Sequence, residues 1–111
     1  MNRIDRKVAV VTGGTQGLGA AIANLFAEAG ALGIVIIGRD QKKGAKVASE
    51  ISKAYGIQVK MITADLEKIE DVQRIMAETD NIFGRVDILV NSAGITDRGN
   101  ILNISAISNT G

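Results

Sequence analysis

Four short apolar runs, Val8 to Val11, Ile34 to Ile37, Val59 to Ile62 and Val86 to Val90, recur along this chain with helix-length segments between them. Unbroken or nearly unbroken runs of this kind, rich in β-branched residues, suit strands buried on both faces. Strands separated by helix-length segments pair in parallel through right-handed crossovers, which predicts an open α/β sheet with helices on both faces.

The intervening segments carry helical periodicity. Leu18, Ala21, Ile22, Leu25, Phe26 and Ala29 form one apolar stripe, stopped by Gly30. Ala45, Ala48, Ile51 and Tyr55 predict a second helix. Val72, Ile75, Met76, Thr79 and Phe83 predict a third, ended by Gly84. The order is βαβαβαβ.

A length of 111 residues leaves room for one domain, and 13 basic against 12 acidic residues give a net charge of +1. No basic block marks a nucleic-acid footprint, and one Tyr and two Phe make no stacking platform for single strands. The chain has no Cys and no His, which excludes disulfides, zinc-type clusters, a Cys nucleophile and His-based catalysis. The start, MNRIDRKVAVVTGG, holds a four-residue apolar run, far short of a signal peptide's core or a membrane span. A cytoplasmic protein without membrane or nucleic-acid partners is the expectation.

The most informative segment is Thr12-Gly13-Gly14-Thr15-Gln16-Gly17-Leu18-Gly19, between the first strand and the first helix. One glycine there permits a tight turn, another a close backbone approach to a pyrophosphate, and a third close packing of helix on strand. The helix start adds amide donors and the positive end of its dipole. A Gly-rich connector without a ligand is the alternative, and the strand before and helix after favour the phosphate site. No Lys-Ser/Thr pair follows the last glycine, so this is not a P-loop.

TGGTQGLG matches the TGxxxGxG pattern of the short-chain dehydrogenase/reductases, and Asn91-Ser92-Ala93-Gly94 looks like that family's NNAG motif. Asp65-Leu66 after the third strand resembles the family's pair beside the adenine ring. The resemblance runs from the N-terminus to about Asp97, under half of a usual member. It implies a Rossmann-type doubly wound parallel sheet, truncated to the strand order 3-2-1-4. It also implies cofactor contacts at Gly13, Thr15, Gln16, Gly17, Leu18, Gly19, Arg39, Asp65, Leu66, Asn91, Ala93 and Gly94.

An acidic residue about twenty positions beyond the glycines selects the 2′-hydroxyl of NAD, whereas an Arg there favours the 2′-phosphate of NADP. The chain has Gly38-Arg39-Asp40. By resemblance Gly38 takes the place of the selecting acid and Arg39 the next, where a guanidinium pairs with phosphate. NADP is therefore the expected cofactor, with NAD as the alternative. The other reading makes Arg39 a solvated loop charge and Asp40 the cap of the second helix. No second basic residue lies inside the glycine loop.

The resemblance further implies hydride transfer between nicotinamide and a carbonyl or alcohol, using a Tyr and Lys in a YxxxK pattern with a Ser and an Asn. The single tyrosine, Tyr55, is followed by Gly56-Ile57-Gln58-Val59, with no Lys at the fourth place, and reads as a core-edge aromatic ending the second helix. No catalytic residue is assigned. Residues 99–108 look like the family's fifth strand and catalytic-serine segment, with Ala106 at the serine position between Ser105 and Ser108. That segment arrives early, ahead of the helix that carries the family's active-site Asn. A second register makes residues 95–102 the loop into that helix, and both registers stay open.

Under the first register Ser92 to Asn100 would link two strands, and a parallel crossover needs roughly a dozen residues or more. Ile101 to Ile104 is then expected to pair out of family order or to be poorly held, with frayed last residues. The expected organisation is a dinucleotide-binding portion over 1–98 and an atypical tail over 99–111. The first function hypothesis is the NADP(H)-binding part of a reductase with its catalytic residues missing. A non-catalytic dinucleotide-binding or regulatory module and an unstable remnant are the others. A sheet ending at its fourth strand would leave an edge that invites self-association.

Overall fold

β1 (Val8–Thr12) and most of β2 (Gly33–Gly38) are buried on both faces, as their unbroken β-branched runs require. The computed structural model describes residues 5–13 and 17–92 and the backbone of residues 103–106. Three helices alternate with the strands: α1 (Gly17–Glu28), α2 (Gln41–Tyr55) and α3 (Ile69–Phe83). β3 (Gln58–Thr63), β4 (Ile88–Asn91) and β5 (Asn103–Ala106) complete a sheet of order β3-β2-β1-β4-β5. The first four strands are parallel, in the expected 3-2-1-4 order.

The pleat divides the core in two. Ala9, Val11, Ile34, Ile36, Ile88 and Val90 point to the face covered by α1 and α2, against Ile22, Ala23, Ala27, Ala48 and Ile51. Val10, Val35, Ile37 and Ile62 point to the opposite face, where α3 brings Ile75 and Phe83. Gly33 makes room there, because a Cβ on it would overlap the Phe83 ring.

Three expectations need correction. The buried stripe of α1 is Gly19, Ile22, Ala23 and Ala27, whereas Leu18, Ala21 and Leu25 face outward. Close approach of the helix to the sheet selects the small residues as the buried face, so side-chain size overrides hydropathy. β3 is not buried on both faces: it is the outer strand, with Gln58, Lys60 and Thr63 exposed and Val59 and Met61 half-buried against α2. Charged side chains on an outer strand discourage pairing with other chains.

The edge of β4, expected to be open, is occupied. β5 lies along it, antiparallel, with Asn91 opposite Asn103 and Ile88 opposite Ala106. Residues 92–102 are fewer than the roughly dozen a parallel crossover needs, and reversing direction removes that requirement. The frayed ends expected beyond Ala106 lie outside the described residues.

Asp40 caps α2, its Oδ1 accepting from the Lys43 N–H at 3.1 Å, and Gly56 closes the helix in the left-handed region at φ +68°. Asp40→Ala is expected to lower stability by about 1 kcal/mol, the usual worth of such a cap, in urea denaturation. An unchanged midpoint would show that the cap carries no load. Among the described residues no helix is long and apolar enough to cross a membrane.

Candidate functional site

The carboxyl ends of β1 and β4 lie side by side where the strand order reverses, the crevice in which open α/β sheets hold ligands. The ends of the two strands are tied together here. Ser92 donates to the Thr12 carbonyl from its N–H at 3.2 Å and again from its hydroxyl. The Thr12 hydroxyl lies 2.9 Å from Asn91 Oδ1 and 3.2 Å from the Val90 carbonyl, so its one proton is shared between them.

From this join the chain turns at Gly13, φ +73°, whose N–H donates to the Ile37 carbonyl at 2.7 Å, and enters α1 at Gly17, φ +59°. Both angles lie in the left-handed region, which glycine adopts at the least steric cost. Gly19 is buried for another reason. A Cβ there would overlap the Gly13 carbonyl and stand 2.7 Å from Ser92 Oγ, so the first turn of α1 rests directly on the loop backbone. The first turn of α1 holds no acidic residue of its own to offset the positive end of its dipole. Leu18 is exposed beside it.

A second cluster stands past β2 and β3. Arg39, its side chain 75% exposed, places a guanidinium nitrogen 3.5 Å from Asp65 Oδ1. Asp65 belongs to a braced turn: its N–H donates to Asp71 Oδ2 at 2.7 Å, and its Oδ1 accepts from the Glu67 N–H at 3.0 Å. The Asp65 N–H, opposed by partial burial and assisted by Arg74 and Lys68, holds the Asp71 carboxyl below its ordinary range. Arg74 also donates to the Thr63 carbonyl at 2.7 Å. Leu66 is exposed on this turn.

The structure therefore brings Gly13, Gly17, Leu18, Gly19 and Asn91 to one crevice, and Arg39, Asp65 and Leu66 to the adjoining end of the same sheet edge. Thr15, Gln16, Ala93 and Gly94 lie outside the described residues. Tyr55 is elsewhere: it closes α2 at the opposite edge, where its hydroxyl accepts from Asn24 Nδ2 at 3.3 Å. The reading of Tyr55 as a helix-end aromatic agrees with this position. Ser92 and Asp71 shape the edge without having stood among the expected site residues. The signal for Asp71 was its place in the first turn of a helix, where an acid finds free N–H groups. A bond from a side chain to a carbonyl 80 positions away, as Ser92 makes, leaves no local pattern.

A model of the short chain dehydrogenase family matches residues 7–108. The chain is 41% identical over 92 residues to an uncharacterized oxidoreductase of Thermotoga maritima, covering 83% of this chain and 35% of that protein. It is 37% identical to the 3-oxoacyl-(acyl-carrier-protein) reductase of Aquifex aeolicus, covering 85% of this chain and 38% of that one. The crystal structure of L-sorbose reductase from Gluconobacter frateurii, complexed with NADPH and L-sorbose, superposes with a TM-score of 0.79 at 37% identity. That match covers 85% of this chain and 36% of the reductase. The chain thus spans little more than a third of the length of these relatives.

Proposed function

This chain belongs to the short-chain dehydrogenase family, and on that premise we propose that residues 1–98 are the dinucleotide-binding portion of an NADP(H)-dependent oxidoreductase. The observation that carries the reading is the contact of Gly19 with the Gly13 turn at the join of β1 and β4. It sets the backbone of the Gly13 turn against a helix start, an arrangement that suits a pyrophosphate. Similarity to a reductase that holds NADPH supports a nicotinamide dinucleotide as the ligand.

In this reading Gly13, Thr15, Gln16, Gly17, Leu18 and Gly19 receive the pyrophosphate, Asp65 and Leu66 flank the adenine, and Asn91, Ala93 and Gly94 border the cofactor's path past β4. The bound nicotinamide supplies hydride chemistry toward a carbonyl or alcohol. Arg39 supports NADP over NAD, because its guanidinium stands just past β2 where Gly38 offers no acid to a 2′-hydroxyl.

Isothermal calorimetry on the 111-residue chain is expected to show NADPH binding more tightly than NADH. Absence of binding by either nucleotide would overturn the proposal. Arg39→Asp removes a charge-assisted contact worth about 1.5–3 kcal/mol, so the NADPH:NADH affinity ratio is expected to fall roughly tenfold to a hundredfold. A ratio that does not move would remove Arg39 from the selectivity argument while leaving dinucleotide binding in place.

A further inference from the structure

Arg39 already has an anion. Asp65 Oδ1 lies 3.5 Å from its guanidinium, and the two partners differ in how firmly they are held. Asp65 is braced by Asp71 on its N–H, by the Glu67 N–H on its carboxylate and by the Lys68 N–H on its carbonyl at 3.0 Å. Asp71 is within ion-pair reach of Arg74 at 3.6 Å, and Arg74 is fastened to the end of β3. The Arg39 side chain, by contrast, is largely in solvent. The carboxylate thus sits on a braced turn, and the guanidinium is the more exposed partner. Of the neighbouring acids, Asp40 is engaged in capping α2 and Asp71 in holding the Asp65 N–H, while Asp65 faces Arg39.

We propose that Asp65 is a built-in competitor for Arg39, and that it sets how strongly the site prefers a 2′-phosphate over a 2′-hydroxyl. The inference rests on the dinucleotide reading above and goes beyond it in assigning a selectivity role to an acid on a different strand end from Arg39. A phosphate that recruits the guanidinium must either draw it off Asp65 or accept a carboxylate within a few ångströms. Both cost affinity for NADPH. A 2′-hydroxyl meets neither cost, since it carries no charge and donates a hydrogen bond to a carboxylate. Any contact between Asp65 and the adenine is common to both nucleotides and cancels in their ratio. The ratio therefore reports the 2′ position alone.

The test is Asp65→Asn, which removes the charge and keeps the shape and an oxygen to accept from the Glu67 N–H. Affinities for 2′,5′-ADP and 5′-AMP, and for NADPH and NADH, are measured for this variant and the unaltered chain, with thermal midpoints to check folding. An exposed ion pair is worth at most about 1 kcal/mol, so the preference for the 2′-phosphate is expected to widen by about two- to fivefold. The widening should shrink in roughly 1 M salt, where the screening length falls to about 3 Å. Should Asp65→Asn fail to fold, Asp65→Ser carries the same expectation. A ratio that is unchanged or narrower in a folded variant overturns the inference and leaves dinucleotide binding standing. Failure of the unaltered chain to bind any of the four probes overturns both.

Discussion

Gly19→Ala is expected to cost about 1–3 kcal/mol of stability, the usual penalty of overpacking a close contact, and to weaken NADPH binding by at least roughly tenfold. The added methyl would overlap the Gly13 carbonyl, and Ser92 Oγ at 2.7 Å blocks the other direction. A backbone carbonyl has no rotamer to escape into, so α1 must lift away from the loop. On the proposed reading, lifting moves the start of α1 away from the turn that would hold the pyrophosphate, which is why binding should fall further than stability. Urea denaturation and calorimetry on the same preparation separate the two effects. A Gly19→Ala chain that kept its NADPH affinity would refute the idea that this contact shapes the cradle.

The second large effect lies at the other edge of the sheet. Asp87 is buried, and its Oδ2 accepts from the Val8 N–H at 2.9 Å while Oδ1 accepts from Arg85 at 2.8 Å. Asp87→Ala leaves the fully buried Val8 N–H without an acceptor, a loss of about 1–3 kcal/mol, and is expected to speed hydrogen exchange along the start of β1. An exchange pattern identical to that of the unaltered chain would count against this role.

Burial by itself would push the Asp87 carboxyl up. The hydrogen bonds from Arg85 and Val8, with the charges of Arg85 and Lys7, outweigh that and hold it below its ordinary 3.8. A lowered carboxyl means that the unfolded chain binds the proton more tightly than the folded one. The stabilisation is thus complete well above pH 3.8, declines as the pH falls through that value, and is gone below the depressed folded value. Asp87→Asn should flatten the acid limb of the stability curve. An acid limb as steep as before would place the titration elsewhere.

How much of this was legible beforehand depended on whether the cause was local. The runs Val8 to Val11 and Ile34 to Ile37 announced strands because burial on both faces leaves no room for polar alternation, and the helix stops read at Gly30 and Gly84 coincide with left-handed φ angles. The glycine pattern placed the crevice, since its spacing encodes a turn and a close approach that other residues resist. The face of α1 was misread because Leu18 and Leu25 outweigh Gly19 and Ala23 on a hydropathy scale, yet the distance from helix to sheet decides which side turns inward. The pairing of Arg39 with Asp65 and the bracing of Asp65 by Asp71 join residues on separate loops, and only the parallel register of β2 with β3 brings them together. The short connection argued only against a parallel fifth strand, and neither the antiparallel direction of β5 nor its place beside β4 was legible.

β1 and β4 are fastened to each other twice outside their shared ladder, by Asp87 and Val8 at one end and by Ser92, Thr12 and Asn91 at the other. Two rails bolted top and bottom cannot splay. The spacing of their carboxyl ends is therefore fixed, and adjustment at that end of the sheet falls to the loops and side chains beyond the strands.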